Sequence, residues 1–262
     1  MRFRLTLELT DPSRNILPLN YQYELSSWIY HVMHSGNREF ATWLHNQGFT
    51  NDKKQFRLFT FSNLLIRKLR TSQDRLIIQS NHIELTISML PVDLIQHFIT
   101  GLFADQIFSL GDTISQVPLK VVSIEAMPEP EFNNRMSFAA ISPLLVSFKE
   151  PEEKYARYLS PDHPQYGSLF FKNLKEKRQA FGNSWPAENE STCVFRSLSE
   201  PKMKGIQIKA GTPEQTKLIG YKYDFELTAP ADLIRFGYYT GFGEKNSMGF
   251  GCADVLTRPS RF

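Results

Sequence analysis

The sequence predicts an α+β fold made of two tandem ferredoxin-like domains, each with the element order βαββαβ, and a C-terminal glycine-rich loop. Three observations support this prediction. In the first half, the spacing of apolar residues alternates between the strand and helix periods in that order. The second half repeats part of the same pattern. The chain of 262 residues is also long enough for two domains of ordinary size.

The first strand and the two helices after it are predicted from periodicity. Near the N-terminus, apolar residues alternate with polar ones, as in a half-buried strand, at Phe3, Leu5, Leu7 and Leu9. A stripe at helical spacing follows, formed by Tyr21, Leu25, Trp28, Ile29 and Val32. A shorter helix is predicted over residues 39–47, with Gly48 placed to end it.

A hairpin and a further helix complete the first half. Alternation resumes after Ser80 and Asn81 and continues to Met89, so residues 75–90 are predicted to form a hairpin. The pattern over residues 91–103 is helical. Pro91 suits the first turn of this helix, where a missing N–H group costs nothing.

A short repeated segment of sequence indicates an internal duplication. The segment Pro91-Val-Asp-Leu-Ile95, followed by Thr100-Gly101, returns as Pro230-Ala-Asp-Leu-Ile234, followed by Thr240-Gly241, with one residue inserted. Each copy follows an alternating strand, the later one carrying Tyr221, Tyr223, Phe225 and Leu227. Because Met127-Pro-Glu-Pro-Glu131 breaks the periodicity, we expect an N-terminal domain over residues 1–130 and a C-terminal domain over residues 131–262.

The composition is that of a globular protein, and it limits the kinds of partner that the protein can bind. Hydrophobic residues make up 41% of the chain, which excludes a disordered protein. The net charge is only +3, so nucleic-acid binding requires the basic residues to be gathered on one face. Cys193 and Cys252 form no Cys-x-x-Cys pair, and there is no long apolar run. We therefore expect a cytoplasmic protein with no membrane span, no metal site and no cofactor.

The strongest motif of the chain is Gly241-Phe-Gly-Glu-Lys-Asn-Ser-Met-Gly-Phe-Gly251. Its glycines indicate backbone with positive φ, or close approach of a ligand to the main-chain amides. Successive exposed N–H groups suit a phosphate, and Lys245, Asn246 and Ser247 add a cation and polar groups. A glycine-rich turn that closes a hairpin is the alternative. The spacing matches neither a Walker loop nor a dinucleotide-binding fingerprint, whose third glycine is replaced by Asn246.

This run resembles the C-terminal glycine-rich loop of the RAMP superfamily, specifically of the CRISPR-associated endoribonucleases that cut precursor CRISPR RNA within its repeats. Three N-terminal segments are similar to those that hold the active site in that family: Asn20-Tyr-Gln-Tyr-Glu-Leu-Ser-Ser-Trp-Ile-Tyr30, Phe40-Ala-Thr-Trp-Leu-His45 and Arg57-Leu-Phe-Thr-Phe-Ser62. The resemblance extends over residues 1–256, although residues 127–202 carry no motif of it. It implies the same pair of ferredoxin-like domains.

The resemblance also implies a metal-independent reaction. The ribose 2′-hydroxyl attacks the adjacent phosphorus, leaving a cyclic phosphate and a 5′-hydroxyl. Tyr30 and His45 match the family's tyrosine and histidine. Arg57 stands where the family has a lysine, so Lys53 or Lys54 is the alternative basic group.

The residues themselves leave these assignments open. Tyr30 lies off the predicted core stripe of its helix, and His45 lies near a helix C-terminus, where the macrodipole favours a protonated imidazole. A histidine at a helix end is nevertheless most often a surface or capping group. His34 shares the helical face of Tyr30 and is the reserve candidate.

The implied partner is CRISPR repeat RNA within precursor CRISPR RNA. Other subunits of a CRISPR interference complex and a second copy of the chain are further candidate partners. The expected RNA-binding residues are those of the glycine-rich loop and two basic positions: Gly241, Gly243, Lys245, Asn246, Ser247, Gly249, Gly251, Lys172 and Lys204. The two lysines belong to larger clusters, Lys172 with Lys175, Lys177 and Arg178, and Lys204 with Lys202 and Lys209; a third cluster is Arg67, Lys68 and Arg70. Each cluster is either an RNA contact or a solvated face.

Two other functions stay open at this level. A scaffold that binds repeat RNA without cutting it would keep the glycine-rich loop and the basic surface but not the catalytic histidine, so the presence of His45 favours cleavage. A small-molecule phosphate-binding enzyme would explain the loop but not the N-terminal segments.

Overall fold

The computed structural model of the chain describes residues 1–150, 152–182, 193–210 and 212–256. The strands of the first half are β1 (Arg2–Leu9), β2 (Ile16–Pro18), β3 (Phe49–Asn51), β4 (Lys54–Phe56), β5 (Phe59–Phe61), β6 (Leu65–Ile66), β7 (Leu69–Ser72), β8 (Arg75–Ile78), β9 (His82–Met89), β10 (Ile107–Gly111) and β11 (Gln116–Ala126). Its helices are α1 (Gln22–Gly36), α2 (Arg38–Asn46) and α3 (Val92–Ala104). The second half contains β12 (Arg135–Ala140), β13 (Ser147–Phe148), β14 (Arg157–Tyr158), α4 (Tyr166–Ala180), β15 (Val194–Ser197), β16 (Lys202–Ile208), β17 (Thr216–Lys222), β18 (Asp224–Thr228), α5 (Ala231–Thr240) and β19 (Ala253–Val255). Of the helices in these ranges, none combines the length and the apolar character needed to cross a membrane.

The main sheet of the first half has the strand order β10-β11-β1-β9-β5, with β6 also pairing with β9. The four strands from β11 to β5 have the order of a ferredoxin-like sheet, and all of these pairs are antiparallel. As the alternation predicts, Leu5 and Leu7 of β1 are fully buried. They lie in one core with Val32 of α1 and Phe98 of α3. The helices therefore cover one face of the sheet.

The second half repeats this arrangement with the sheet order β15-β18-β12-β19. Its core includes Phe138, Phe170 and Phe225, which belong to β12, α4 and β18. The predicted strand over residues 221–227 is interrupted, because β17 pairs with β16 while β18 pairs with β12 and β15. At the break, the buried Tyr223 hydroxyl lies 2.6 Å from that of Tyr166. The predicted class, two ferredoxin-like units in an α+β chain, is confirmed.

The predicted hairpin over residues 75–90 is wrong in its pairing. β8 pairs with β7 and β2, whereas β9 pairs with β1, β5 and β6. The turn that closes the actual hairpin lies between β7 and β8, where Gln73 has φ 53°. Alternation shows that a strand has one buried face, but it does not identify the neighbouring strand.

The two similar segments, which begin at Pro91 and Pro230, start their helices in the same way but end them differently. Pro91 and Pro230 are the N-cap residues of α3 and α5, both with ψ 135°. Gly101 lies inside α3, where an added Cβ would come 1.7 Å from the Val32 carbonyl oxygen of α1. Gly241 instead ends α5 with φ 89°. One residue turns a helix by about 100°, so the inserted residue moves the second glycine off the packed face.

A segment with no helix or strand, residues 127–134, joins the halves. Arg2 also connects them, since it is 2% exposed and its guanidinium donates to the Ala253 carbonyl at 2.8 Å. Arg2 further pairs with Asp254 at 3.0 Å. The division into domains over residues 1–130 and 131–262 stays a prediction.

Candidate active site

A cleft of about 810 Å³ lies between the two halves. One wall is formed by α1, the end of α2 and the segment from β4 to Arg57. The other is formed by β13, α4 and the glycine-rich loop, residues 241–251. The cleft brings together the four residues predicted to be catalytic, Tyr30, His45, Lys54 and Arg57, and places them opposite residues 243–248 of the loop.

Tyr30 lies on a second covered side of α1, off the predicted core stripe. Ser26 and Met33, about one turn before and after it, are buried, so Tyr30 is half-buried instead of free. Its ring packs edge-on against Phe59, with centroids 5.5 Å apart. The first core therefore holds the ring, while the hydroxyl group is directed to neighbours in the cleft.

Burial raises the pKa of Tyr30, and this effect is partly offset by a hydrogen bond with Ser247 and by the guanidinium group of Arg57. The side chain is therefore a neutral phenol at neutral pH, able to donate a hydrogen bond. The Tyr30 hydroxyl also links α1 to both the basic group and the loop.

His45 lies in the last turn of α2, where it is exposed. The helix begins at Asn37, whose side chain accepts from the Phe40 N–H at 3.0 Å. It ends at the predicted place, because Gly48 has φ 61° and donates to the Trp43 carbonyl at 2.9 Å. The His45 ring meets Tyr30 edge-on, with centroids 5.3 Å apart.

One nitrogen of His45 is engaged, and the other has no hydrogen-bond partner among the described residues. Nδ1 lies 3.1 Å from Oδ1 of Asn46. An amide oxygen only accepts hydrogen bonds, so this contact places the proton on Nδ1 of the neutral ring. Nε2 is then the nitrogen available to accept a proton from a substrate.

Arg57 is held against the end of α2. Its guanidinium donates to the carbonyls of His45 at 2.6 Å and Gln47 at 3.1 Å, and to the Gln55 side chain at 3.2 Å. The next residue, Leu58, has φ 53°, a conformation that is strained for a branched side chain. These contacts fix the position of the cation beside His45 and leave part of its donor edge free.

Lys54 differs from the other predicted catalytic residues. Its ammonium group pairs with Glu176 of α4 at 2.5 Å, so its charge is already matched by a carboxylate. Lys53, at the turn between β3 and β4, is exposed, lines the cleft and has no carboxylate partner among the described residues. Of the two lysines that the sequence left as alternatives, Lys53 is the one free to meet a ligand.

The glycine-rich loop follows a helix, so the hairpin alternative is wrong. As predicted, its glycines adopt positive φ, with values of 89°, 69°, 85° and 80° for Gly241, Gly243, Gly249 and Gly251. The Phe242 N–H donates to the Gly251 carbonyl at 2.9 Å and closes the loop. An added Cβ on Gly251 would come 2.0 Å from the Phe242 oxygen, so only glycine fits this closure.

The tip of the loop lines the cleft and carries main-chain donors that have no protein acceptor among the described residues. Lys245 is exposed with φ 57°, and a short 3₁₀ helix follows at Asn246–Met248. Within the described residues, the N–H groups of residues 245–247 donate to no protein acceptor. The Ser247 carbonyl accepts from the Ser26 hydroxyl of α1 at 2.6 Å, which ties the tip to the opposite wall.

Two polar side chains lie inside the loop. Asn246 donates to the carbonyls of Phe242 and Phe250, both at 3.1 Å. Lys177 of α4 is 2% exposed and donates to the carbonyls of Gly241 at 2.7 Å and Gly243 at 3.0 Å, and to Oδ1 of Asn246 at 2.5 Å. The side chain of Asn246, an expected RNA-binding residue, is therefore engaged within the loop, and Lys177 is buried instead of lying in a surface cluster with Lys172.

The cleft has a strong excess of positive charge. Its single carboxylate among the described residues is that of Glu244, which accepts from the Ser147 N–H at 2.7 Å. The cations that line it are Lys53, Lys54, Arg57, Lys149, Lys172, Lys177 and Lys245. The basic residues are thus gathered on one face, as RNA binding requires in a chain of low net charge. No pattern in the sequence marked Lys149.

Other predicted residues lie elsewhere. Lys204 is exposed on β16, and His34 is exposed on α1, but neither lines the cleft. Lys209 pairs with Glu214, and Arg67 pairs with Glu84 at 2.9 Å. The structure therefore brings Lys172, but not Lys204, to the candidate site, and the role of Lys204 in RNA binding stays a prediction.

Comparison with known proteins matches most of the chain. Residues 16–118 match the family model described as CRISPR-associated protein Cas6, N-terminal, and residues 127–255 match the one described as CRISPR associated protein Cas6, C-terminal. The CRISPR-associated endoribonuclease Cas6 1 of Methanocaldococcus jannaschii is 33% identical over 252 residues, which cover 95% of this chain and 91% of the relative.

Two solved structures share the fold over almost their full length. A Cas6-related protein of Pyrococcus furiosus has a TM-score of 0.83 at 23% identity, with 98% of this chain and 99% of that chain covered. A RAMP protein described as binding different RNA substrates has a TM-score of 0.81 at 24% identity, with the same coverage.

Proposed function

Because the chain belongs to the Cas6 family of CRISPR-associated proteins, we propose that it is an endoribonuclease that cleaves precursor CRISPR RNA within its repeats. In the proposed reaction, the ribose 2′-hydroxyl attacks the adjacent phosphorus without the help of a metal. One product then carries a cyclic phosphate and the other a 5′-hydroxyl. The name of the Methanocaldococcus relative supports the activity, and that of the RAMP structure supports RNA as the ligand.

The observation that carries this proposal is the meeting of Tyr30, His45 and Arg57 across one cleft from the glycine-rich loop. These residues, which lie in three separate segments of the first half, include a group that can transfer a proton and a fixed cation. The loop opposite adds free main-chain donors. A phosphodiester placed between the walls would meet all three kinds of group.

His45 is assigned the proton transfer. Its free Nε2 can take the 2′ proton, which makes the oxygen a nucleophile. The leaving 5′ oxygen takes up a proton from solvent in return, and the imidazolium of His45 gives its proton back to solvent. Tyr30 remains a neutral phenol and so cannot act as the base. Its hydroxyl group is placed to donate to an oxygen that gains charge, and it holds Ser247 in position.

Arg57 is assigned the stabilisation of the phosphorane. Charge gathers on the non-bridging oxygens as the new bond forms, and a fixed cation stabilises that charge without first having to reorganise. The carbonyls of His45 and Gln47 hold Arg57 in this position. Arg57→Ala is expected to slow cleavage and weaken binding, and Arg57→Lys to restore part of both, because lysine keeps the charge but not the planar fork of donors.

The free lysines of the cleft are assigned to the RNA backbone. Lys53, Lys149, Lys172 and Lys245 are exposed, and no described carboxylate pairs with any of them. Affinity for RNA should fall as the salt concentration rises. For single-stranded RNA, each phosphate that these lysines neutralise should make the slope of log affinity against log salt more negative by about 0.7. The loop amides at residues 245–247 are assigned to a phosphate next to the scissile bond.

The deciding experiment uses purified protein and its cognate repeat RNA. Cleavage is followed in EDTA, with a second RNA that carries one 2′-deoxy nucleotide at the cut site. We expect cleavage in EDTA and none of the deoxy RNA, because that RNA lacks the nucleophile. Loss of activity in EDTA, or unchanged cutting of the deoxy RNA, would overturn the mechanism. Tight binding without cleavage would support a scaffold, and preference for free nucleotides would support a small-molecule enzyme.

A further inference from the structure

Lys177 is an unusual lysine because it is buried within the chain's strongest motif. Only 2% of the residue is exposed, and each of its three hydrogen bonds goes to the glycine-rich loop. Two of the acceptors are main-chain carbonyls. They need a donor whatever side chains the loop carries. Replacing it with an apolar residue would leave three buried oxygens without a donor.

The contacts of Lys177 continue to the candidate catalytic tyrosine. Lys177 holds Asn246, and the next residue, Ser247, receives a hydrogen bond from Ser26 at 2.6 Å and interacts with Tyr30. The unpaired N–H groups of residues 245–247 lie at this same point. The shape of the loop tip therefore depends on one contact from α4 and on others from α1.

We propose that Lys177 is a positioning residue for RNA binding: its buried ammonium group fixes the glycine-rich loop in the shape that presents the N–H groups of residues 245–247 to a backbone phosphate beside Tyr30. The inference rests on the proposed function, because the phosphate is taken to be that of repeat RNA. Lys177 itself stays covered and acts through the loop.

A cation suits this role better than a neutral donor. A single ammonium group satisfies three converging acceptors and adds positive charge behind the amides that would meet the phosphate. Burial lowers the pKa of Lys177 to about 7, with Glu244 acting in the opposite direction. A phosphate bound at the loop would favour the charged lysine, so RNA binding should take up a proton above neutral pH.

Other charged or titratable groups also face this region, and the test must separate their effects from that of Lys177. From the loop these are Glu244 and Lys245; from α4, Lys172 and Glu176; from the opposite wall, Tyr30, His45, Lys53, Lys54 and Arg57; from the edge of β13, Lys149. All of them are retained in a Lys177 variant. The difference between the pH profiles of wild type and variant therefore isolates the contribution of Lys177.

The test measures the dissociation constant of repeat RNA carrying a 2′-deoxy cut site, from pH 6 to 8.5, for wild type, Lys177→Met and Lys120→Met. Lys120 is an exposed lysine of β11 that does not line the cleft, and its variant is the matched control. We expect Lys177→Met to bind about tenfold or more weakly at pH 6, since it loses hydrogen bonds from a charged donor. As the pH rises, wild type should lose affinity more steeply than Lys177→Met, and the two curves should converge.

A second variant distinguishes a specific loss of binding from a loss of folding. Asn246→Ala removes one acceptor of Lys177 and should also weaken binding, and the double variant should bind little worse than Lys177→Met because the two residues act as a unit. A folded Lys177→Met with wild-type affinity and pH slope would overturn the inference and leave the proposed function standing. Loss of folding in both single variants would also overturn it, since the lysine would then serve only stability. Failure of wild type to bind repeat RNA would overturn the proposed function itself.

Discussion

The two walls of the cleft are built on opposite principles. In the wall from the first half, Tyr30, His45 and Arg57 line the cleft with side chains carried by two helices and by the segment between β4 and β5. In the loop wall, Asn246 and Lys177 direct their functional groups to oxygens of the loop, and the N–H groups of residues 245–247 have no protein acceptor among the described residues. The first wall therefore supplies side-chain chemistry, and the second supplies a shape.

This difference predicts how each wall responds to substitution. An exposed imidazole such as that of His45 can be removed without disturbing the packing beneath it. Most of the loop cannot be changed in this way, since Phe242 and Phe250 are fully buried and a Cβ on Gly243 or Gly251 would meet a backbone oxygen. Changes in the first wall should reduce the rate of cleavage, whereas changes in the loop should reduce stability and binding together.

The largest expected effect is that of His45→Ala. Removing a general acid–base group should lower the single-turnover cleavage rate by about 10²–10⁴-fold, with little change in the dissociation constant. Arg57 should keep its place, because it binds the main-chain oxygen of His45, which alanine retains. His34→Ala is the control and should cleave at the wild-type rate, as His34 lies outside the cleft lining. A normal rate in His45→Ala with a slow His34→Ala would reverse the assignment.

The next largest effect tests the loop wall. Gly243→Ala combines φ 69° with a Cβ only 2.5 Å from the Leu145 carbonyl oxygen, and should lower the free energy of unfolding by about 2–4 kcal/mol. Gly182→Ala is the matched control: its φ is 99°, but no atom lies within 4 Å of its Cβ. Urea unfolding should show the smaller loss, about 1–2 kcal/mol, for Gly182→Ala. Equal losses would mean that the steric contact with Leu145 contributes nothing.

The pH dependence of stability tests the buried cation. The pKa of Lys177 falls from 10.5 to about 7 on folding, so between these pH values the unfolded chain binds more protons than the native protein. The unfolding free energy of wild type should therefore rise with pH relative to that of Lys177→Met, by up to ~1.4 kcal/mol per pH unit. Thermal unfolding of both proteins from pH 7 to 9 measures this difference. Parallel profiles would show that Lys177 keeps its proton throughout.

Tyr30→Phe should have a moderate effect, mainly on the rate. The variant keeps the ring that packs on Phe59 but loses the hydroxyl that interacts with Ser247 and Arg57. Loss of one hydrogen bond of this kind corresponds to about a tenfold slower single-turnover rate. A loss as large as that of His45→Ala would instead assign Tyr30 a proton transfer.

The smallest effect is expected for Lys54→Met. Its salt bridge with Glu176 is partly exposed to solvent and should contribute no more than ~1 kcal/mol to stability. Cleavage should stay within about twofold of wild type, because a paired lysine supplies little net charge to RNA. Lys53→Met, the neighbouring free lysine, should weaken binding and reduce its salt dependence. The opposite ranking would make Lys54 the basic group of the site.

Residues whose role depends on local pattern could be predicted from the sequence. The helix carrying His45 is Arg38–Asn46 where residues 39–47 were expected, and Gly48 ends it as predicted. Tyr30, His45 and Arg57 were found through motifs that lie within short segments, and the structure brings all three to one cleft. The pairing of β8, by contrast, could not be predicted, because alternation is the same whichever strand lies alongside.

Contacts with distant segments of the chain give residues of the same type different roles. Lys53, Lys54 and Lys177 look alike in sequence, yet the first is free, the second is matched by Glu176, and the third lies beneath the loop. Lys149 reaches the cleft without any motif around it. A lysine's charge is available to a ligand only where no nearby carboxylate or carbonyl already binds it, and such neighbours come from distant segments.

The sequence by itself determined the two ferredoxin-like units and the glycines that need positive φ, whereas the candidate proton-transfer group came from the resemblance of its motifs to a known family. The units and the glycines depend on periodicity and backbone conformation within a few residues, where sequence and geometry are directly linked. Only the tertiary structure decided which cations face the cleft, that the Tyr30 hydroxyl meets Ser247 and Arg57, and that Asn246 and Lys177 belong to the interior of the loop. Burial and hydrogen bonding to remote segments set these properties, because the free energy of a polar group depends on the atoms around it and not on its position in the chain.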